Sequence, residues 1–216
     1  MKTIVLSAAV LALAFALTGC KLVKTGGDGT TAQVPAGEAG DDSRNAARIA
    51  KTYQSQLVPL IQEKAVDAAS LKVAIAADLD AAGQTYGHRG PGEGSPWSFA
   101  VKGSGKIVAA DLKSRAAHID IDVDGDGQPD VVVQIGPVVL GSAALRDFAP
   151  FYNFTDFRDQ IEFAKLARGL NDSAVKALKR PDGDPVGKTA SFTGALELHS
   201  ATDKLSLVPI SLEIAP

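Results

Sequence analysis

The sequence predicts an α+β fold: an N-terminal helical pair, about six antiparallel strands, and helices near 155–179 inserted between the fourth and fifth strands. Three observations predict it. Apolar residues recur at helical spacing between Ala46 and Leu79. From Trp97 they alternate with polar ones, and alternation returns after Thr189. Between these two alternating regions, Phe148, Phe151, Tyr152, Phe154, Phe157 and Phe163 gather half of the chain's aromatic residues into one short stretch.

The chain opens with Met1 and Lys2, an apolar run from Ile4, and Leu17-Thr18-Gly19-Cys20. A short positive start, about a dozen apolar residues and small residues before a cut site make a secretory signal peptide over 1–19. The run falls short of the ~20 residues needed to span a bilayer. The cysteine after Gly19 resembles a bacterial lipoprotein signal, in which Cys20 is lipidated and becomes the first mature residue. Cys20 is the single cysteine of the chain. No internal disulfide is therefore possible, and thioether lipidation would remove an otherwise free, oxidisable thiol. A small apolar cysteine ending an uncleaved helix is the alternative. One acyl chain anchors only marginally. The resemblance implies three, palmitate among them, and a firm hold on the periplasmic side of the cell membrane or the outer membrane.

The formal net charge of −3 leaves no basic footprint for nucleic acid and no polybasic patch for anionic lipid. Residues 20–42 are expected to be the lipidated cysteine and a flexible tether. Thr25 to Asp42 carries five glycines, one valine and no aromatic residue, too little to bury a core. As a Gly-rich coil it would reach on the order of 25 Å. Residues 43–216 then form a single helix-plus-strand domain.

Asp42-Ser43 suits a helix N-cap, followed by Ala46, Ile49, Ala50, Tyr53, Leu57, Leu60 and Ile61, with Pro59 expected to kink or end the run. A second helix is predicted from Ser70 to Ala82, with Leu71, Ile75 and Leu79 as its stripe and Gly83 just past its end. Gln84 to Pro96, with four glycines and two prolines, reads as a loop. His88-Arg89 is its candidate ligand pair, as an anion or sugar contact; a solvated loop with a structural arginine is the alternative. Trp97 to Lys102 and Lys106 to Leu112 read as two strands around a Gly103-Ser104-Gly105 turn. Ala117 to Val123 and Val131 to Leu140 make the third and fourth, with His118 on the polar side. Asn153 or Thr155 is expected to cap a helix reaching about Arg168, and a shorter helix to span Ser173 to Lys179. Two strands close the chain, the last changing phase at a bulge near Val208-Pro209.

The sharpest chemical pattern is Asp122-Val123-Asp124-Gly125-Asp126-Gly127-Gln128-Pro129-Asp130. Alternate carboxylates on a glycine-bearing turn resemble DxDxDG calcium loops. Ca²⁺ requires six to eight oxygens, which Asp122, Asp124, Asp126, Asp130 and the Gln128 carbonyl would supply, in a structural role. Position 12 is Val133, so an EF-hand is excluded. A polar Asp-Gly hairpin turn is the alternative. Two other motifs fail. Gly183 to Thr189 imitates a P-loop with glycines one residue too close, and His88, His118 and His199 lack zinc spacing.

At this point the chain resembles an uncharacterised family of predicted bacterial periplasmic lipoproteins, a domain of unknown function. Gly19-Cys20-Lys21-Leu22-Val23, Tyr86-Gly87-His88-Arg89, Pro96-Trp97-Ser98-Phe99, Asp122 to Asp130, Gln134-Ile135-Gly136-Pro137-Val138, Ala144-Leu145-Arg146-Asp147 and Gln160-Ile161-Glu162-Phe163 carry the resemblance. It implies an OB-like antiparallel β-barrel. It also implies a gene neighbourhood beside ribose-type sugar ABC importers, and it adds Arg146 to His88 and Arg89 as a ligand contact. The expectation is a lipid-anchored, non-enzymatic accessory protein that partners a sugar ABC transporter component. A calcium-supported cell-envelope hydrolase and an OB-type oligomer-binding module are the alternatives.

Overall fold

The structure, a computed structural model, describes residues 34–90, 92 and 94–215. The signal peptide, Cys20 and the tether as far as residue 33 lie outside the described residues. A 3-10 turn, Glu38–Gly40, leads directly into α1, Asp41–Thr52. The N-cap is thus Gly40, two residues ahead of the expected Asp42, and the stretch from Glu38 to Asp42, expected as tether, is helical. The cause is Asp41, which is fully buried and accepts from Arg44 at 2.5 Å, Arg158 at 3.0 Å and Lys165 at 3.2 Å. Buried Glu162 accepts from Arg44 Nε and from the Arg158 N–H, both at 2.8 Å. These cations hold both carboxyls below their usual range, Arg158 foremost for Asp41 and Arg44 for Glu162. The network ties α1 to the later helix that carries Glu162.

Pro59 does not end the helical run. A five-residue π-helical turn, Tyr53–Leu57, precedes α2, Val58–Lys64, and places the proline in the first turn, where a missing N–H is tolerated. After β1, Val66–Asp67, the predicted second helix is two helices: α3, Ala68–Ala77, and α4, Leu79–Tyr86. Asp78 separates them. Its backbone is extended, and its carboxylate caps α4 by accepting from the Ala81 N–H at 3.0 Å. Gly83 lies inside α4, where a Cβ would stand 2.2 Å from the Trp97 ring. The glycine is the seat of the indole rather than a helix end.

Residues 87–89, expected to be loop, form β2, Gly87–Arg89. Gly103-Ser104-Gly105, expected to reverse the chain, form no turn; β3 runs unbroken from Trp97 to Asp111. A Cβ at Gly105 would lie 1.9 Å from the Asp122 carbonyl, and one at Gly103 2.8 Å from the Phe192 ring. Glycine is needed there for close approach, not for chain reversal. β4 is His118–Asp122 and β5 only Val131–Gln134. β5 stops early because the Leu140 N–H folds back onto Gln134 Oε1 at 2.7 Å. α5, Ala144–Asp147, and a 3-10 turn, Phe154–Asp156, lead to α6, Gln160–Ala177. The two helices expected here are thus one, capped by Asp159 instead of Asn153 or Thr155; its carboxylate accepts from the Ile161 and Glu162 N–H groups. β6, Thr189–Leu198, and β7, Leu205–Ile214, complete the chain.

The ring strands are ordered β3-β4-β5-β7-β6, and β6 pairs back onto β3, so five strands close on themselves. Short β1 and β2 flank β3 outside that ring. The expected barrel of about six antiparallel strands is corrected to this ring, with β5 and β7 parallel. The β7 phase change is absorbed where Thr193↔Ser211 gives way to Gly194↔Pro209, leaving Ile210 as the extra residue beside Pro209.

The pleat of β3 sorts two cores. Phe99, Val101, Ile119, Ile121, Val133, Leu196 and Leu207 form one, joined by Leu71 and Ile75 of α3. On the opposite face Ala100, Ala195 and Val208 present small side chains. Leu57, Ile61, Leu145, Leu166 and Leu170 of the helices pack there. Among the described residues no helix is long and apolar enough to cross a membrane.

Candidate ligand-binding cleft

β2 follows α4 without a linker, and it pairs antiparallel with the start of β3. Register then aligns His88, Ser98 and Glu197 across β2, β3 and β6. α5 is fastened at both ends of that row. Glu197 Oε2 accepts from the Ala143 N–H at 3.2 Å, and His88 Nδ1 meets the Asp147 carbonyl at 2.7 Å. A carbonyl only accepts, so Nδ1 is the donor, and neutral His88 carries its lone pair on Nε2. Ser98 Oγ, between His88 and Glu197 in the register, is buried with no hydrogen-bond partner among the described residues. Burial pushes the Glu197 carboxyl up.

The cleft beside this row has a volume of about 910 Å³, within the range of small-molecule sites. It brings together the His88-Arg89 pair and Arg146, the residues expected as ligand contacts. Asp147, Asn153, Phe154, Gln160 and Phe163 also line it. Arg146 grips Asp147 with Nε at 2.6 Å and Nη2 at 3.0 Å, donates from Nη1 to the Phe163 carbonyl at 3.1 Å, and stacks 3.8 Å from that ring's centre. Arg89 donates to the Ser95 carbonyl at 2.6 Å, faces Asp80 at 3.6 Å and lies 5.1 Å from the Trp97 ring centre. Each guanidinium therefore has its own carboxylate, and the cleft is close to neutral. Phe154 stays about half exposed and touches Phe163 edge-on. Two side-chain amides, two faced arginines and an exposed ring can stack on a flat polar ligand and bond its hydroxyls.

The aspartate loop between β4 and β5 is assembled elsewhere. Asp122, Asp124 and Asp130 bring one carboxylate oxygen each within 4.8 Å of one another. Asp126 stands outside that group, with its Oδ1 accepting from the Gln128 N–H at 2.7 Å. Lys72 of α3 reaches across, with Nζ 2.7 Å from Asp124 Oδ2 and paired with Asp130 Oδ1. The two carboxylates hold the Lys72 ammonium above its usual range, and Lys72 holds Asp124 below its own. Sequence reasoning missed Lys72. It lies on the polar side of a predicted helix, and no spacing rule links it to a loop some fifty residues on.

The model of a family described as "predicted periplasmic lipoprotein (DUF2291)" matches residues 10–213. No curated protein matches the chain. Among solved structures it is similar to the crystal structure of an OB-fold protein from Thermotoga maritima, with TM-score 0.58 and 18% identity over 81% of this chain and 98% of that one. At that identity the likeness shows the fold alone, which is α+β and OB-like.

Proposed function

We propose, from the premise that this chain belongs to the DUF2291 family of predicted periplasmic lipoproteins, that it is a lipid-anchored binding protein serving sugar uptake. Lipidation at Cys20 fixes it to the membrane, and the tether lets the folded domain stand off the surface. The observation that carries the binding role is the convergence of His88, Arg89 and Arg146 in one cleft whose guanidiniums already face carboxylates. An anion would have to compete with Asp147 for Arg146. A neutral, hydroxyl-bearing ring would not, and it could lie on Phe154, bond Asn153 and Gln160, and donate to His88 Nε2.

The role is non-catalytic in this reading. Asp147 is held by Arg146, and Glu197 faces the Ala143 N–H without lining the cleft. A sugar importer component is the partner. The experiment is a pull-down of the tagged lipoprotein from membranes together with sugar uptake in a deletion strain. Recovery of transporter subunits and slowed uptake are expected. An empty pull-down with normal uptake overturns the assignment.

A further inference from the structure

The loop from Asp122 to Asp130 has the residue order of a calcium loop, yet its donors are already occupied. Asp122 accepts from the Gly125 and Gly127 N–H groups with its two oxygens, at 2.6 and 2.8 Å. Asp124 accepts from the Asp126 N–H at 3.2 Å, and Asp130 from the Val123 N–H at 2.8 Å. The second oxygens of Asp124 and Asp130 both meet Lys72 Nζ. A calcium ion requires six to eight oxygens. With the ammonium in the gap, the second oxygens of Asp124 and Asp130 are taken and an ion has no room between them.

We infer that Lys72 is the resident cation of this loop: its ammonium stands where a calcium-type loop holds its ion, and it clamps α3 to the β4–β5 connection without any metal. The need for a cation is physical. The Asp130 side chain is only 3% exposed, and a carboxylate so far removed from water is costly unless it is paired. Asp124, at 36% exposed, could be left to solvent; Asp130 could not. A tethered ammonium is also present at fixed local concentration. Chelators and swings in free calcium then leave the connection between α3 and the strands unchanged, which suits a protein that works outside the cytosol.

The full chain in detergent tests this by melting temperature and terbium luminescence, with millimolar calcium or a chelator, for the wild type, Lys72→Met and Lys72→Arg. The wild type should melt alike in calcium and chelator and give no terbium signal. Lys72→Met should melt lower by about 2–4 °C or more. It should then recover in calcium and acquire the terbium signal, because the gap is freed while the carboxylates stay. Lys72→Arg keeps the charge and should stay near the wild type, which separates loss of the cation from a general defect in α3. A wild type stabilised by calcium overturns the inference, as does a Lys72→Met chain that melts like the wild type. A Lys72→Met chain that melts low and ignores calcium overturns it too, since the ammonium would then not occupy an ion's position.

Discussion

Arg146 lies over Phe163, its guanidinium carbon 3.8 Å from the ring centre while Nη1 donates to the carbonyl of the same residue at 3.1 Å. One side chain thus joins α5 to α6 and forms the floor of the cleft. A planar, delocalised cation can stack and bond at once, whereas an ammonium cannot do both in the same plane.

Replacing Arg146 should therefore weaken ligand binding. Arg146→Ala removes the stacked floor and frees Asp147, and binding is expected to fall at least ~10-fold, or ~1.4 kcal/mol. Arg146→Lys keeps the charge and should not restore it. Calorimetric titration of both variants checks this. An Arg146→Lys chain that binds like the wild type would show that charge alone matters.

Leu145 turns from the same short helix into the core shared with Leu57, Ile61, Leu166 and Leu170 and is fully buried. Leu145→Ala should cost about 2–5 kcal/mol, the range for a truncated core leucine. Urea unfolding followed by circular dichroism measures it.

Gly105 offers a sharper test of the ring. A Cβ there would sit 1.9 Å from the Asp122 carbonyl, so Gly105→Ala forces β3 away from β4. The expected cost is at least the ~1–3 kcal/mol of an overpacked core. If the segment were a hairpin turn, as its composition suggests, the substitution would be mild.

The ion network at Asp41 and Glu162 sets the response to acid. Both carboxyls are held below their ordinary values of 3.8 and 4.5. A depressed folded value means that the contribution is complete above the ordinary one and is lost as pH falls through the folded one. Melting temperature should therefore hold from neutrality to about pH 5 and drop below about pH 4. Glu162→Gln should melt lower at neutral pH, on the order of 5 °C, and lose part of that acid dependence. A variant with the wild-type profile would mean that Glu162 contributes nothing measurable.

Local pattern made part of this legible. Alternation placed β4, β6 and β7 and the two halves of β3, helical spacing placed α1, and the phase change in β7 foretold a bulge within a residue or two of Ile210. The misreadings share a cause. Gly103, Gly105 and Gly83 look like punctuation in the sequence, but each is required by a distant partner: Phe192, the Asp122 carbonyl and the Trp97 ring. Asp78 and Asp159 cap helices by local bonds that their sequence neighbours could have signalled. In the cleft, loop composition flagged His88-Arg89, while Arg146 came only from a family resemblance. Its geometry depends on α5 being seated between Glu197 and His88, two strands apart. Lys72 acts only through partners far along the chain, and Asp41, apart from its local bond to Arg44, does the same.

Paired guanidiniums should make the cleft prefer a neutral ligand to an anionic one. Calorimetric titration of the full chain in detergent with a neutral pentose, and separately with a pentose phosphate, tests it directly. Saturable heat with the neutral sugar, weaker with the phosphate and lost in Arg146→Ala, is the predicted result. Tighter binding of the phosphate, or no binding of either, would contradict it.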